Sequence, residues 1–337
     1  MRRREFATFA AAAPAAYAAM ASSDTPLGID LFSIRSSGYS AFENLDYCAK
    51  LGAKVVHFSE IRFLGNLEDE HLKKVRQHAD SLGIRIEAGM RSLCPTSKLF
   101  DPKQGTAEEQ LTRMLHAAKL LGSPIVRCFL GSSNDRPVEQ HIEAMSKVLR
   151  GMRSKVLDSG IKVAIENHSG DMQGPELKTL IEESGKDFVG AVIDSGNPLW
   201  VLEDPHVTLE TLAPYALTSH VRDSAVWRTP EGVAVAWTRM GEGNVGIDDW
   251  VRKYRTLCPG KAISLEIIVT GARNFPIFDP KFWDAYRAVP AWELARFLAL
   301  ADKGKPLTVP PVPKEEAAAK ERADLEASAA YVKRLLA

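Results

Sequence analysis

The sequence predicts an α/β fold: a (β/α)8 barrel with a C-terminal helical extension. Three observations lead there. Strand-like and helix-like segments alternate from Gly28 onward. Four later strands end on a residue type that binds metal: Glu166 in IKVAIEN, Asp194 in VGAVIDSGN, His220 in LTSHVRD and Glu266 in ISLEIIVTG. Glu166 and Asp194 lie 28 residues apart, and Asp194 and His220 lie 26 apart, close to the roughly 30 residues of a strand with its returning helix. In such a barrel all strand C-termini share one mouth, so these four side chains converge there. The longer gap of 46 residues from His220 to Glu266 is expected to hold an inserted loop, WRTPEGVAVAWTRMGEGNVG.

The elements follow in order. LGIDLFSIR is the first strand, and AFENLDYCAKLG is a helix stopped at Gly52. AKVVHFSE is the second strand, with HLKKVRQHADSLG after it, closed by Gly83. IRIEAGM precedes TAEEQLTRMLHAAKLLG, in which Thr106 is the expected N-cap. SPIVRCFLG and VEQHIEAMSKVLRGMRSKVLDSG form the fourth pair, and the four ligand-bearing strands bring the count to eight. Leu-Gly and Ser-Gly pairs before several strands are helix C-caps turning back to the sheet. No linker interrupts residues 22–302, which read as one barrel domain. Residues 303–337 differ: KGKPLTVPPVP is Pro-rich, and KEEAAAKERADLEASAAYVKRLLA is a strong helix former. That helix either packs on the barrel or a second subunit, or stands loosely in solvent.

Composition bounds the function. Lys+Arg and Asp+Glu both number 43, giving zero net charge, which argues against a dedicated nucleic-acid binder. The cysteines Cys48, Cys94, Cys128 and Cys258 are scattered, without a C-x-x-C pair, and read as core or helix-face residues. Residues 1–21 read as an export signal. Arg3-Arg4-Glu5-Phe6 resembles the R-R-x-F core of twin-arginine signals, an Ala-rich run follows, and Ala19-Met20-Ala21 offers a cleavage site. The mature protein is then expected in the periplasm or another extracytoplasmic space. The apolar run is too short for stable membrane insertion.

Three carboxylates and an imidazole favour one divalent metal, Mn²⁺ first, with Mg²⁺, Co²⁺ or Zn²⁺ as alternatives. Open coordination positions would accept two vicinal oxygens of a hydroxy-ketone. The metal would then act as a Lewis acid on the enediolate formed when the α proton leaves. A glutamate tuned upward by burial is the expected base.

Together these strands, with ENH at Glu166–His168, HVRD at His220–Asp223 and GEGNVG at Gly241–Gly246, resemble the xylose isomerase-like barrel superfamily over residues 27 to 300. Ketose 3-epimerases, hydroxypyruvate isomerase, inosose dehydratase and endonuclease IV-type enzymes belong to it. The resemblance implies that Glu166 and Glu266 lie on opposite faces of a sugar, one removing a proton and the other returning one. It implies a small sugar or keto-sugar substrate and is compatible with a homo-oligomer. Arg222 replaces the usual Lys of the family's H-x-K-D motif, Asp223 being its acid; Arg is no simple stand-in for Lys. Asn197 stands where ketose 3-epimerases carry a His, and an amide cannot supply the charge of an imidazolium.

Further candidates have two readings each. His57 and Glu60, at the end of the second strand, face substrate or a loop. Arg127 crosses the mouth or pairs inside the barrel. His168 orients a ligand, contacts substrate or is a core histidine. Arg222 binds substrate or a neighbouring strand. Trp200, Trp227, Trp237 and Phe275 fall in predicted mouth loops, to stack on a sugar or pack locally. The leading function is a metal-dependent sugar isomerase or epimerase. The alternatives are a lyase or dehydratase acting on a keto-sugar, keto-glycoside or inosose, and a non-catalytic sugar-binding barrel. A DNA-repair enzyme with a trinuclear zinc site would need more histidines than the eight present.

Overall fold

A computed structural model describes residues 25–286 and 289–337; the expected export signal at residues 1–21 lies outside them. The strands and helices alternate as follows: β1 (Leu27–Asp30), α1 (Ala41–Lys50), β2 (Val55–Phe58), α2 (Asp69–Ser81), β3 (Arg85–Ser92), α3 (Ala107–Leu121), β4 (Ile125–Phe129), α4 (Glu139–Ser159), β5 (Lys162–Glu166), α5 (Gly174–Ser184), β6 (Val189–Asp194), α6 (Pro205–Leu212) and β7 (Ala216–His220). A hairpin of β8 (Asp223–Thr229) and β9 (Gly232–Thr238) comes next, then α7 (Ile247–Leu257), β10 (Ile263–Leu265), β11 (Arg273–Phe275), α8 (Ala291–Ala301) and α9 (Ala317–Leu336).

Eight parallel strands form one sheet in the order β10-β1-β2-β3-β4-β5-β6-β7. A parallel bridge between Val221 and Leu265 joins its two ends, closing the barrel. Strands β2, β4 and β6 are buried along their whole length, as expected where side chains face either the barrel interior or the helical ring. Ile125, Ala164 and Val192 pack inside the barrel with Leu217. The larger core lies between strands and helices and includes Ile29, Val56, Leu111, Val163 and Leu209.

Local chemistry fixes the helix ends. Ser40 with Glu43 and Thr106 with Glu109 form capping boxes at α1 and α3, satisfying amide donors that the first turn leaves free. The C-terminal helix is docked. Leu325, Ala329 and Val332 are buried, while Tyr47 of α1 donates to Glu326 at 2.9 Å and Tyr331 donates to Asp248 of α7 at 2.6 Å. Thus α9 bridges α1 and α7 on the outside of the barrel.

The expected inserted loop is not irregular. β8, β9 and β11 make a three-stranded antiparallel sheet in the order β11-β9-β8. The alternation in Gly232–Thr238 and the turn before Gly232 explain it: every second side chain reaches one face. Val226, Val233 and Val235 pack there against Phe297 and Ala301 of α8. No helix of the described residues is long and apolar enough to cross a membrane.

Candidate active site

Glu166, Asp194 and His220 end β5, β6 and β7, and Glu266 directly follows β10. All four are buried, and one donor atom from each lies within 4.8 Å of the others. His220 is the hinge of the arrangement. Its Nδ1 faces Glu166 Oε2 at 3.0 Å and Glu266 Oε2 at 3.2 Å, and neither contact has hydrogen-bond geometry. Its Nε2 faces the other way, 2.8 Å from His57 Nδ1 and 3.2 Å from Asp30 Oδ2.

Each carboxylate is aimed by its neighbours. Asp194 Oδ1 accepts the amides of Gly196 at 2.7 Å and Asn197 at 2.6 Å, which turns Oδ2 toward the centre. Asn167 clamps the Asp194 backbone, accepting from its amide at 2.9 Å and donating to its carbonyl at 3.1 Å. Arg127 Nε donates to Glu166 Oε2 at 2.6 Å. Arg222 Nη2 donates to Asp194 Oδ2 at 2.5 Å and also to Glu266 Oε2. Gly196 makes room for it, because a Cβ there would sit 2.4 Å from Arg222 Cγ.

The charges follow from these contacts. Burial by itself would raise the Glu166 carboxyl, but Arg127 and His220 hold it well below the usual range. Glu266 is likewise lowered, with Arg222 and His220 outweighing burial. The expected upward tuning of a glutamate base therefore does not occur here, because each glutamate has a buried cationic partner. Burial, together with repulsion from Glu266 and Glu166, pushes Asp194 up to about 7 against the pull of Arg222. His220 is raised well above its ordinary value; Glu166, Asp30 and Glu266 outweigh its burial. Burial and the nearby cations lower His57 well below, so it is neutral.

A cavity of about 260 Å³ opens over the cluster, and Glu266, Arg127 and Arg222 are part of its wall. His168 also lines it, stacked on Phe129 at 3.9 Å with Nδ1 2.9 Å from the Gly131 carbonyl. A carbonyl only accepts, so Nδ1 carries the proton. Burial lowers the His168 pKa, which leaves Nε2 as a free acceptor. Trp200 and Trp237 stack on each other at 4.1 Å along another wall. Arg222 lies over Trp237 at 4.4 Å and Arg273 over Trp200 at 4.4 Å.

Of the proposed substrate contacts, Glu60, Arg127, His168 and Arg222 line the cavity. Glu60 also pairs with Arg62. Three others turn elsewhere. His57 is fully buried behind His220. Asn197 points down, donating to Glu166 Oε1 at 3.2 Å and to the Asn167 carbonyl at 2.9 Å. Asp223 accepts the amides of Gly241 at 3.0 Å, Gly243 at 2.9 Å and Ser224 at 2.7 Å, anchoring the loop after β9; burial pushes it up to about 6. Trp227 and Phe275 pack within the hairpin layer and not on the cavity. Sequence reasoning missed Asp30, Asn167 and Arg91. Asp30 ends β1 just as Glu166 ends β5, so the same strand-end rule applied to the first strand finds it.

The donor set fits a divalent cation. Three carboxylates and an imidazole nitrogen without a hydrogen bond face one point, a combination hard cations and zinc both accept. Arg222 Nη2 stands against two of these oxygens. Among the described residues, Asp30, His57 and His220 form a second group dense enough in donors to hold an ion.

A model of the xylose isomerase-like TIM barrel family matches residues 45–277. The chain belongs to this family. It is 24% identical over 217 residues to the 3-oxo-isoapionate decarboxylase of Pectobacterium atrosepticum, covering 64% of this chain and 72% of that one. Among solved structures it resembles the D-psicose 3-epimerase of Clostridium cellulolyticum with D-tagatose (TM-score 0.59, 11% identity, 90% and 98% of the two chains). It also resembles the IOLI protein with a bound zinc atom (TM-score 0.58, 14%, 91% and 99%). A third is a family protein from Mycobacterium smegmatis in complex with magnesium (TM-score 0.58, 14%, 82% and 98%). These structural likenesses show the fold; zinc and magnesium, not manganese, are the ions named among them.

Proposed function

We propose that this chain is a divalent-metal-dependent enzyme of the sugar isomerase or epimerase type, acting on the carbon beside the carbonyl of a small polyhydroxylated ketone. The observation that carries the reading is the convergence of four donor atoms within 4.8 Å of one another beneath an open cavity. Glu166, Asp194, His220 and Glu266 would hold the ion. When bound, it supplies Lewis-acid polarisation of the carbonyl and offsets the negative charge that develops on proton loss.

The chain's own residues divide the remaining work. Glu166 is walled off by Arg127 and Asn197, so its part is to hold and orient. Glu266 lines the cavity, and so does His168, whose Nε2 is free to accept. Glu266 and His168 are therefore the groups placed to take a proton from carbon and return one. Trp200 and Trp237 offer a flat apolar wall to a sugar face.

A second reading is a lyase on the same site. It is supported by the decarboxylase relative and by Asn197, which cannot carry the charge of a histidine. Loss of a carboxyl as CO2 leaves the same negative charge beside the carbonyl, and an elimination starts from the same proton loss before its leaving group departs with the electron pair.

The test is hydrogen exchange in D2O, followed by NMR, on a panel of ketoses, inososes and keto-glycosides. Metal-stripped protein is compared with protein loaded with Mg²⁺, Mn²⁺ or Zn²⁺. Metal-dependent exchange that Glu266→Gln abolishes supports the proposal, and the product separates epimerisation from elimination or decarboxylation. A tightly bound ion with no exchange on any of these substrates sinks it. Export by the twin-arginine route is proposed with it. Arg3→Lys with Arg4→Lys should retain the protein in the cytoplasm, and unchanged fractionation would refute export by this route.

A further inference from the structure

The cavity over the carboxylate cluster is not isolated. A second chamber of about 250 Å³ lies beside it, and Glu60, Arg91 and Leu99 line both. The two spaces therefore meet at these three side chains. Each chamber alone falls below the roughly 300–1,000 Å³ of ordinary small-molecule sites, whereas the pair falls inside that range.

The walls of the side chamber have a definite character. Ile61, Leu67, Met90 and Met114 give it an apolar lining. Asp101, Gln104 and Arg113 add polar groups. An apolar wall edged by donors and acceptors suits a hydroxylated ring, which has an apolar face and a polar perimeter. It suits a long alkyl chain less well.

Arg91, at the junction, is free to meet an occupant. It is exposed at the end of β3 and, among the described residues, its guanidinium has neither a hydrogen bond nor an ion pair. Its neighbours are already engaged: Arg62 pairs with Glu60, and Arg113 donates to the Gln104 carbonyl. Five donors on a planar fork are thus free at the point where the chambers meet.

We infer that the substrate is a two-unit molecule, a glycoside or disaccharide whose keto-bearing unit lies over Glu266. Its second ring fills the side chamber. Arg91 donates to the linking oxygen or an adjacent hydroxyl. This rests on the function proposed above and adds the substrate class.

Binding and reaction are measured separately, so the two ideas fail separately. Calorimetry on metal-loaded protein compares an unoxidised disaccharide, cellobiose or trehalose, with glucose. The same comparison is run on Arg91→Ala and on Gln104→Trp, both at exposed positions, with circular dichroism to verify folding. The expected result is a disaccharide preference of at least about tenfold that falls to within about twofold in both variants. Equal affinity for both sugars in the wild type, or a preference that survives both substitutions, overturns the inference. If the preference behaves as expected while no substrate exchanges hydrogen, the substrate class stands and only the reaction is wrong. Exchange on free ketoses without any disaccharide preference means the reverse.

Discussion

The two halves of the barrel contribute different things to the same centre. Strands β5, β6, β7 and β10 deliver Glu166, Asp194, His220 and Glu266, whose donor atoms face one point. Strands β1, β2 and β4 deliver Asp30, His57 and Arg127, each of which touches one of those four. The second half presents candidate ligands together with Arg222 and Asn167 beside them, and the first half adds further support and the counter-charge of Arg127. A cluster of three buried carboxylates is costly unless compensated, so the support is as much a condition of the fold as of the chemistry.

The sharpest way to break this division is to remove Arg127. Arg127→Met leaves Glu166 charged and buried with one cation fewer, which should cost about 3–5 kcal/mol of stability. Urea unfolding of the metal-free protein measures it, and a loss under 1 kcal/mol would mean that the first half is not needed for charge balance. Next comes Glu166→Gln, from the second half. Metal affinity by calorimetry should fall by more than about 100-fold, beyond what loss of a supporting group brings. Asp30→Asn should weaken affinity by about 10–100-fold while leaving all four ligands in place. If Asp30→Asn proves as damaging as Glu166→Gln, the division between ligand and support collapses.

The smallest effect belongs to neither half. Asp223→Ala strands the amides of Gly241, Gly243 and Ser224 and should cost about 2 kcal/mol, seen as a lower Tm with metal affinity unchanged within about twofold. A large drop in metal affinity instead would tie the hairpin loop to the centre.

The same division explains what could be read from the chain. Eight strands are legible because apolar runs alternate with helix-period segments, and the second-half acids announce themselves as charges closing such runs. The first-half support was harder. His57 near the end of the second strand and Arg127 within the fourth are visible as polar residues in apolar runs, but whether such a side chain meets substrate or a neighbour depends on which strand lies beside it. That is set by the pairing of Arg127 with Ala164 and Asp30 with His57 across adjacent strands. Asn197 turns away from the mouth for a local reason. Asp194 Oδ1 captures its amide, which starts a tight turn at residues 197–201 and swings the amide group under Glu166. The expected loop is a hairpin layer, and the Val-Ala-Val-Ala-Trp alternation of residues 233–237 is its sequence signal.

The paired indoles of Trp200 and Trp237 have an optical consequence. Their rings lie 4.1 Å apart and within 7° of parallel, close enough for their electronic transitions to couple. Such a pair is expected to give a two-signed band in ultraviolet circular dichroism. With guanidinium groups of Arg222 and Arg273 against the two rings, that band would respond to any ion that draws Arg222 from its carboxylates and to any molecule that lifts Arg273. The native chain thus carries its own label-free gauge of whether the centre is filled.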